Sequence, residues 1–356
     1  MSHLSFPLHD AAAVNKAARS LALAEEHAVP FNTSDLAIVN NWRSSHDYPL
    51  NGIHMTMKGR AKKILGGKTP LTAQRIKRLD SILLKLQDRP QMKLSQMQDI
   101  GGCRVILPKL EHVVQLRRLY QSSPVVHEVL APKDYIAEPV EDSGYRSLHL
   151  KFKFAGRGAW SSLWAGLKVE MQVRTLLQHQ WATAVEAAGT LKVQAFKSRR
   201  GDPDWLRFFK LVSSEFARIE GTPLVLNTPE SQKERIDEIK HLDSQHHILQ
   251  TLGQYAALIP QINKRKNAYF YVMKLDPIGR TVVIYEFPKQ EAAESALFLE
   301  KLELETERPA QVVRVSVPSL KALERAYPNY FLDTSQFLKE VAQLIGYDKP
   351  LVYAAR

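Results

Sequence analysis

Two stretches in the middle of the chain alternate between apolar and polar residues with a period of two. Residues 148–154 alternate Leu, Leu, Phe and Phe with His and two Lys, and residues 167–174 alternate Leu, Val, Met and Val with Lys, Glu, Gln and Arg. A third apolar run, 104–107, follows two glycines. This alternation predicts half-buried strands that each carry one polar face.

Elsewhere apolar residues recur every three or four positions, which predicts amphipathic helices. The predicted helices span 10–28, 72–88, 110–121, 176–188 and 204–220. In 72–88 the pattern places Lys77, Ser81 and Lys85 in one polar line, with Arg75 near the helix start. The preceding stretch, 47–73, is basic and less regular, so we expect a loop over a site.

The last third of the chain has the pattern of a small additional module. Two strand-like runs, 269–275 and 281–287, flank Asp-Pro-Ile-Gly and predict a β-hairpin. A helix at 290–302, a strand at 311–317 and a closing helix at 335–345 follow.

Strands interspersed with helices predict an α/β (α+β) fold with a mixed sheet covered by helices. The predicted divisions are a catalytic domain 1–225, a helical linker 226–264, a hairpin–helix module 265–320 and a C-terminal helical segment 321–356.

The composition narrows the class of protein. The chain has 356 residues, of which 44% are hydrophobic, enough for two or three domains. Cys103 is the only cysteine, which excludes an internal disulfide and a cysteine-based zinc site and fits a reducing cytoplasm. No apolar run approaches the roughly 20 residues of a membrane span, so we expect no membrane partner. The first ten residues lack a signal-peptide pattern.

Positive charge is concentrated in the first three quarters of the chain. The net charge is +12, and residues 265–356 hold 13 Lys and Arg against 12 Asp and Glu, so nearly all of the excess lies in 1–264. Such a basic region favours a polyanionic partner, either a nucleotide or a nucleic acid. A solvated surface charge without a partner is the alternative.

Polar residues at the predicted strand ends have the chemistry of a phosphoryl-transfer site. Asp99 and Glu170 offer the hard oxygen ligands that Mg²⁺ prefers, and the ring of Tyr145 is suited to stacking on a nucleobase. Arg75 and Arg104 supply positive charge for phosphates. The sequence has neither a GxxxxGK[ST] loop nor a GxGxxG turn between a strand and a helix, so the common phosphate-binding loops are absent.

Taken together, these stretches resemble the RelA/SpoT-type synthetase domain over about 75–190. The resemblance is carried by Arg75-Ile-Lys77 with Ser81 and Lys85, Asp99-Ile-Gly-Gly-Cys-Arg104, Lys133-Asp134-Tyr135-Ile136, Ser143-Gly-Tyr145-Arg146-Ser-Leu-His149, and Val169-Glu170-Met-Gln172-Val-Arg174-Thr175 with Gln178-His179-Gln180-Trp181. It implies a nucleotidyltransferase-like sheet and transfer of the β,γ-pyrophosphate of ATP to a ribose hydroxyl, with Mg²⁺ as cofactor and AMP as leaving group.

The resemblance also implies a role for each matching residue. Arg75 and Arg104 bind the adenine of ATP, and Lys77, Ser81 and Lys85 bind its phosphates. Asp99 and Glu170 are the catalytic and Mg²⁺-binding acids, with Glu170 placed to activate the attacking hydroxyl. The acceptor-binding residues are Tyr145, Arg146, His149, Gln172 and Arg174.

Two departures from the family pattern bear on function. The family's paired Glu-His after the tryptophan is Glu186-Ala187 in this chain, so one histidine is missing. A His…His-Asp hydrolase signature does not precede the synthetase region, so we do not expect hydrolysis of the product.

The sequence leaves two kinds of acceptor molecule as alternatives. Small alarmone synthetases of this family use GDP or GTP, whereas toxic relatives modify the 3′ end of tRNA and thereby block translation. The basic region 1–264 favours the tRNA acceptor end. A non-catalytic nucleic-acid-binding protein is a third hypothesis, but binding alone does not require both Asp99 and Glu170.

The C-terminal third resembles the fused toxin–antitoxin synthetases of the CapRel type. The matching features are the cysteine-free hairpin–helix–strand module, a pseudo-zinc-finger, and Tyr327-Pro-Asn-Tyr330. This resemblance implies that Tyr327 and Tyr330 are autoinhibitory, and that a phage protein, notably the major capsid protein, is the trigger that releases the enzyme in antiviral defence. The alternative to an autoinhibitory role is that the two tyrosines only fill a small hydrophobic core.

Overall fold

A computed structural model describes residues 5–122, 125–191, 202–254, 259–263, 265, 267–279, 281–306, 310–331 and 333–347. The helices are α1 (Ala11–Glu26), α2 (Thr33–Ser44), α3 (Asp47–Ile64), α4 (Leu79–Asp88), α5 (Leu110–Ser122), α6 (Leu176–Leu191), α7 (Pro203–Glu220), α8 (Gln232–His246), α9 (Ile248–Gln254), α10 (Ala292–Glu305), α11 (Leu320–Ala326) and α12 (Ser335–Ile345). The strands are β1 (Leu71–Ile76), β2 (Gly101–Leu107), β3 (Glu128–Asp134), β4 (Leu148–Lys153), β5 (Lys168–Thr175), β6 (Ile259–Asn263), β7 (Ala268–Asp276), β8 (Thr281–Pro288) and β9 (Gln311–Ser316).

All of these strands belong to one mixed sheet, so the predicted α/β class is confirmed. The strand order is β3-β4-β5-β2-β1-β9-β7-β8-β6. The pairs β2/β5 and β6/β8 are parallel, and the other pairs are antiparallel. Helices cover both faces, because each strand buries apolar side chains toward one or both faces.

The prediction of a helix over 72–88 is wrong at its N-terminal end. Residues Leu71–Ile76 form β1, the chain then turns, and α4 begins at Leu79. A helix-like spacing of apolar residues therefore gave way to pairing, since β1 lies between β2 and β9 and bonds to both. As a result, Arg75 projects from a strand and Lys77 from the turn after it, whereas Ser81 and Lys85 lie on α4.

The predicted loop at 47–73 is wrong as well, because most of it is the helix α3. Its apolar residues Leu50, Ile53 and Met57 are buried in one core cluster with Val105 and Met171 of the sheet. The basic residues of this stretch therefore lie on the outer side of a packed helix. That burial stabilises a helix whose sequence alone looks irregular.

The hairpin–helix–strand pattern of the C-terminal module is confirmed. β7 pairs with β8 through the predicted turn, and α10 packs on β7 and β9. The module also continues the sheet of the N-terminal part, because β9 pairs with β1 at Arg75↔Val315. The division into 1–225, 226–264, 265–320 and 321–356 stays a prediction, and the last segment extends into residues outside the described ranges.

One buried ion pair joins the N-terminal part to the module. Arg43 of α2 makes two bonds of 2.8 Å to the carboxylate of Glu303 on α10, and the two side chains are only 3% and 9% exposed. The Nε atom of Arg43 also donates to the carbonyl of Lys77 at 3.1 Å. The position of the Lys77 turn therefore depends on a contact with the C-terminal module.

Replacing Glu303 with glutamine is expected to lower the free energy of unfolding by about 3–5 kcal/mol, since the guanidinium of Arg43 loses its charge partner in a buried place. The matched control is Glu305→Gln on the same helix. Glu305 is 57% exposed and pairs with Lys301 at 3.6 Å, so its loss costs about 0.5 kcal/mol or less. Urea unfolding of both variants checks this, and equal effects would refute the structural role of Arg43–Glu303.

Candidate active site

The predicted site residues that lie on strands share one face of four neighbouring strands. Strand register aligns Arg75 of β1 with Gly102 of β2, and Gly102 with Glu170 of β5. One step along, Arg104 aligns with Gln172, which aligns with His149 of β4. Because side chains alternate across a strand, donor and acceptor residues that are up to about 100 positions apart in sequence meet on this face.

Two consecutive glycines begin β2, and their missing side chains lie on opposite faces of the sheet. A Cβ atom at Gly101 would lie 3.3 Å from the Cβ of His46, so a larger residue would press on the start of α3. At Gly102 the nearest neighbour of such an atom is the carbonyl oxygen of Arg75, at 3.9 Å. The missing side chain of Gly102 thus leaves a depression between Arg75 and Glu170.

Asp99 is held between two lysines at the entrance of β2. Its carboxylate accepts bonds from Lys77 Nζ at 2.8 Å and Lys85 Nζ at 3.1 Å. Burial acts to raise the pKa of Asp99, but the two ammonium groups outweigh burial and lower it to about 2. Asp99 is therefore a carboxylate at any physiological pH.

The acid dependence of stability tests this cluster. Because the folded pKa of Asp99 is about 2 against an ordinary 3.8, its ionised form contributes stability at and above pH 5 that is lost as the pH falls toward 2. The expected loss is about 2 kcal/mol. The Asp99→Asn variant lacks this contribution, so its free energy of unfolding approaches that of the wild type between pH 5 and pH 2. Parallel pH curves would contradict the pairing.

Glu170 belongs to a closed ring of hydrogen bonds around the predicted acceptor site. Its carboxylate meets His149 Nδ1 at 3.0 Å and accepts from Gln172 Nε2 at 3.2 Å. The other ring nitrogen of His149 meets the Tyr145 hydroxyl at 2.8 Å. Arg174 closes the ring by donating to Tyr145 at 2.8 Å and to Gln172 at 3.1 Å. Five predicted site residues therefore form one network.

The hydrogen bonds of this network shift the pKa values of its members. Burial opposes ionisation of both Glu170 and His149, yet their hydrogen bond raises the pKa of His149 and lowers the pKa of Glu170. For Tyr145, burial is likewise outweighed by Arg174 and His149, which lower the pKa of the phenol. Glu170 is thus an ionised carboxylate, and the adjacent His149 can share a proton with it.

The side chains around this hydrogen-bond network carry more positive than negative charge. The Nε and Nη1 atoms of Arg174 are buried without a hydrogen-bond partner. Burial, followed by the repulsion of Arg174, lowers the pKa of Arg104 to about 10. Both observations indicate a site built for an anion, since a phosphate would satisfy the free donors and the unbalanced charge.

Arg146 lies apart from the other predicted acceptor residues. Its guanidinium is 2% exposed and pairs with Glu220 at 2.8 Å, with a further short bond to Thr222. The preceding turn contains Gly144 at φ +80°, where a Cβ atom would lie 3.1 Å from the backbone of Lys210. In this structure Arg146 therefore anchors the Tyr145 turn to α7 and does not contact the hydrogen-bond ring.

Tyr327 lines a small cavity on the same face of the sheet. A cavity of about 40 Å³ is lined by Arg75, Asp99, Gly102, Cys103, Arg104, Glu170, Gln172 and Tyr327. The guanidinium carbon of Arg104 lies 5.7 Å from the centre of the Tyr327 ring. Burial raises the pKa of Tyr327 to about 12, so the ring is a neutral phenol. This space is far below the roughly 300–1,000 Å³ of a ligand pocket.

Tyr330 backs Tyr327 from the 3₁₀ turn Pro328–Phe331. The two rings lie 6.1 Å apart with their planes inclined at 62°, and both side chains are 3% exposed. They belong to the core cluster that also contains Leu323 of α11 and Val315 of β9. Tyr327 thus lies both beside Arg104 and in a small core, and the autoinhibitory role of the two tyrosines stays a prediction.

One residue near the acceptor network was not assigned a role from the sequence. The Tyr135 ring lies 5.1 Å from His149 and 5.7 Å from Tyr145, edge-on to both. Lys133 Nζ lies 5.9 Å from the centre of the Tyr135 ring. The only sequence signal for Tyr135 is its place in the Lys133–Ile136 stretch. A second aromatic wall therefore borders the proposed nucleobase platform.

The donor atoms present are compatible with a magnesium ion. Asp99 and Glu170 line the same cavity and interact electrostatically. Mg²⁺ is commonly held by one or two carboxylates together with substrate phosphates. Within the described ranges, no group of three or more His, Cys, Asp and Glu side chains has the arrangement of a metal site. A magnesium ion would therefore need the phosphates of a nucleotide as further ligands.

The helices that the structure describes include none long and apolar enough to cross a membrane.

Comparison with known proteins finds similarity over the part of the chain that carries most of the predicted site residues. Residues 74–194 match the family model described as a region found in RelA / SpoT proteins. Uncharacterized proteins of Mycobacterium tuberculosis and Mycobacterium bovis are 32% identical over 122 residues, which are 33% of this chain and 38% of each relative. The chain thus spans well under half of the length of these curated relatives.

Solved structures with partial similarity include small alarmone synthetase 1 of Bacillus subtilis bound to its product pppGpp. It is 24% identical and covers 51% of this chain and 93% of its own, with a TM-score of 0.41. Small alarmone synthetase 2 of Bacillus subtilis is 20% identical with the same coverages and a TM-score of 0.43. A GTP pyrophosphokinase family protein of Streptococcus pneumoniae is 19% identical, covers 56% and 96%, and has a TM-score of 0.41. The family match covers residues 74–194, which include every predicted site residue other than Tyr327 and Tyr330.

Proposed function

We propose that this domain transfers the pyrophosphate group of ATP to a hydroxyl of GDP or GTP, and that Tyr327 keeps the unliganded site closed. The observation that carries the proposal is one cavity lined by two carboxylates, two arginines and the Tyr327 ring. Phosphoryl-type transfer requires mainly positioning and stabilisation of negative charge. The residues around this cavity can supply both.

In the proposed reaction, the acceptor hydroxyl oxygen forms a bond to the β-phosphorus of ATP. The bond between that phosphorus and the oxygen bridging it to the α-phosphorus breaks, and AMP leaves with the bridging oxygen. Glu170 takes the hydroxyl proton, because it is an ionised carboxylate beside His149. Magnesium, when bound at Asp99 and Glu170 with the phosphates, would neutralise charge on the transferring group.

On the donor side, residues that now bond to other residues of the protein would bind ATP instead. Lys77 and Lys85 currently bind Asp99, and we infer that they turn to the β- and γ-phosphates, with Ser81 as a further contact. Arg75 and Arg104 stack on adenine in the space that Tyr327 now occupies. ATP binding and closure by Tyr327 are therefore mutually exclusive.

The acceptor side offers a nucleobase platform and a free cation. The Tyr145 ring, bordered by Tyr135, stacks on the base, and Gln172 and His149 orient the sugar. Arg174 binds an acceptor phosphate through its unpaired Nε and Nη1 atoms. The family match supports a guanine nucleotide as acceptor better than the tRNA end that the charge distribution favours.

The tRNA acceptor end is the second candidate, since nearly all of the net charge of +12 lies in residues 1–264. In that case the chain is a toxin that blocks translation. The module 265–320 would then receive the trigger, a phage protein such as major capsid protein, and release Tyr327.

A labelling experiment separates the two acceptors. Full-length protein and its Tyr327→Ala variant are incubated with Mg²⁺, γ-³²P-ATP and equal amounts of GDP and deacylated tRNA. The proposal expects label on GDP, and more of it with the variant. Label on tRNA alone overturns the guanine nucleotide acceptor and supports the toxin, and addition of capsid protein then tests the trigger.

A further inference from the structure

A second cavity lies on the opposite face of the sheet from the candidate active site. Its volume is about 250 Å³. Gln74 of β1 contributes to its floor, together with Arg314 of β9 and Phe270 of β7. Asp47 at the start of α3 forms one wall. The cavity therefore lies where the N-terminal part meets the C-terminal module.

Small side chains on α10 leave the space open. Ala292, Ala293 and Ala296 face the cavity, whereas Leu299 and Leu302, further along the helix, fill a core cluster over the sheet. A helix that carries leucine throughout would pack down on β1. The run of alanines thus creates room beside an otherwise well-packed helix.

The cavity contains an acceptor that lacks a partner. Gln74 is 5% exposed, and its Oε1 atom is buried without any hydrogen bond. Leaving such an atom unpaired typically costs a factor of about 5 to 150 in an equilibrium constant. A ligand that donates a hydrogen bond to this oxygen would recover that cost.

The remaining walls favour a flat, aromatic ligand. Tyr48, Tyr269 and Phe270 present rings to the cavity, and the guanidinium carbon of Arg314 lies 4.3 Å from the centre of the Phe270 ring. Arg314 itself is satisfied by Asp47, Ser295 and the carbonyl of Ala292. It therefore stiffens the wall. The other cation that lines the cavity is Lys289, whose Nζ atom lies 5.7 Å from the centre of the Tyr269 ring.

We propose that this cavity binds a nucleoside, whose nitrogen heterocycle lies among the aromatic rings and donates an N–H bond to Gln74 Oε1. The volume of about 250 Å³ is slightly below the roughly 300–1,000 Å³ typical of drug-sized ligands, which suits a nucleoside without a triphosphate. The site is distinct from the catalytic one, because Gln74 and Arg75 project from opposite faces of β1.

The position of the cavity links it to the catalytic face. Gln74 precedes Arg75, and Ser44 at the cavity wall follows Arg43, which bonds to the carbonyl of Lys77. A bound nucleoside would thus contact β1, which carries Arg75, and the end of α2, where Arg43 holds the Lys77 turn. Its effect on transferase activity is a separate question from its binding.

Isothermal titration of the full-length protein with adenosine and with guanosine tests the site. We expect at least one nucleoside to bind, with about tenfold weaker affinity in Gln74→Met, where the acceptor is replaced at similar size. Ala296→Phe fills the cavity and should abolish binding. Circular dichroism and thermal melting confirm that each variant is folded, and Ala293→Met serves as a second filling variant.

The matched control is Arg104→Ala on the opposite face, which should bind the nucleoside as the wild type does. The proposal is overturned if neither nucleoside binds at millimolar concentration, or if the Gln74 and alanine variants bind normally. It is also overturned if Arg104→Ala abolishes binding, since the nucleoside then occupies the catalytic site.

Discussion

Replacing Glu170 with glutamine is expected to lower the turnover of pyrophosphate transfer by about 10²–10⁴-fold. Glutamine has nearly the same shape and keeps an oxygen near His149, but it cannot accept the proton of the attacking hydroxyl. Turnover is best compared in the Tyr327→Ala background, where the site is open. Affinity for ATP should change little, because its adenine contacts lie at Arg75 and Arg104.

The control for this substitution is Glu128→Gln on the edge strand β3. Glu128 is 58% exposed and pairs with Lys153 at 3.1 Å, so transfer should stay within about twofold of the parent. If Glu170→Gln retains transfer within a factor of about three, Glu170 is not the proton acceptor. A non-catalytic binding protein would keep its phenotype with either substitution.

Replacing Tyr327 with alanine is expected to raise ATP turnover by about tenfold or more, because the site is open in a larger fraction of the molecules. Removal of the ring enlarges the cavity of about 40 Å³ and frees Arg75 and Arg104 for adenine. In the closed protein the apparent affinity for ATP is reduced by the fraction of open molecules. The same change lowers the free energy of unfolding by about 3–5 kcal/mol, because a buried aromatic ring is lost.

Phe331→Ala separates activation from destabilisation. Phe331 is 8% exposed in the same core cluster as Tyr327, but it does not line the cavity. It should lower stability to a similar degree and leave turnover low. Equal activation by both variants would mean that general loosening, and not departure of the Tyr327 ring, opens the site.

Removing the whole C-terminal part is a less selective test of this closure. β9 pairs with β1 directly beside Arg75, so truncation at 264 would leave the edge of β1 unpaired. An exposed strand edge promotes aggregation and would alter the position of Arg75 itself. Point substitutions keep the sheet intact and report on the tyrosine alone.

The strands of the acceptor side could be predicted from the sequence because local pattern and tertiary structure agree there. Alternation over 167–174 places Glu170, Gln172 and Arg174 on one face, and the structure shows the hydrogen-bond ring on that face. The prediction depends only on the two-residue period of a strand. The hairpin β7/β8 was predictable for the same reason.

Features that depend on long-range pairing could not be predicted in this way. The segment 71–76 has a helical spacing of apolar residues but lies between β2 and β9, whose positions the local sequence does not encode. The pairing of Arg146 with Glu220 likewise joins residues on separate elements. The cavity at Gln74 depends on the meeting of residues from α3, α10 and β9, which no motif indicates.

The release of AMP tests the central claim most directly. With the Tyr327→Ala protein, ATP and GDP, pyrophosphate transfer predicts one AMP for each acceptor that gains two phosphates, and no AMP without an acceptor. The wild type should give the same products at a lower rate. Formation of ADP, or AMP formation that does not depend on an acceptor hydroxyl, would contradict the assignment of this face of the sheet as a pyrophosphate-transfer site.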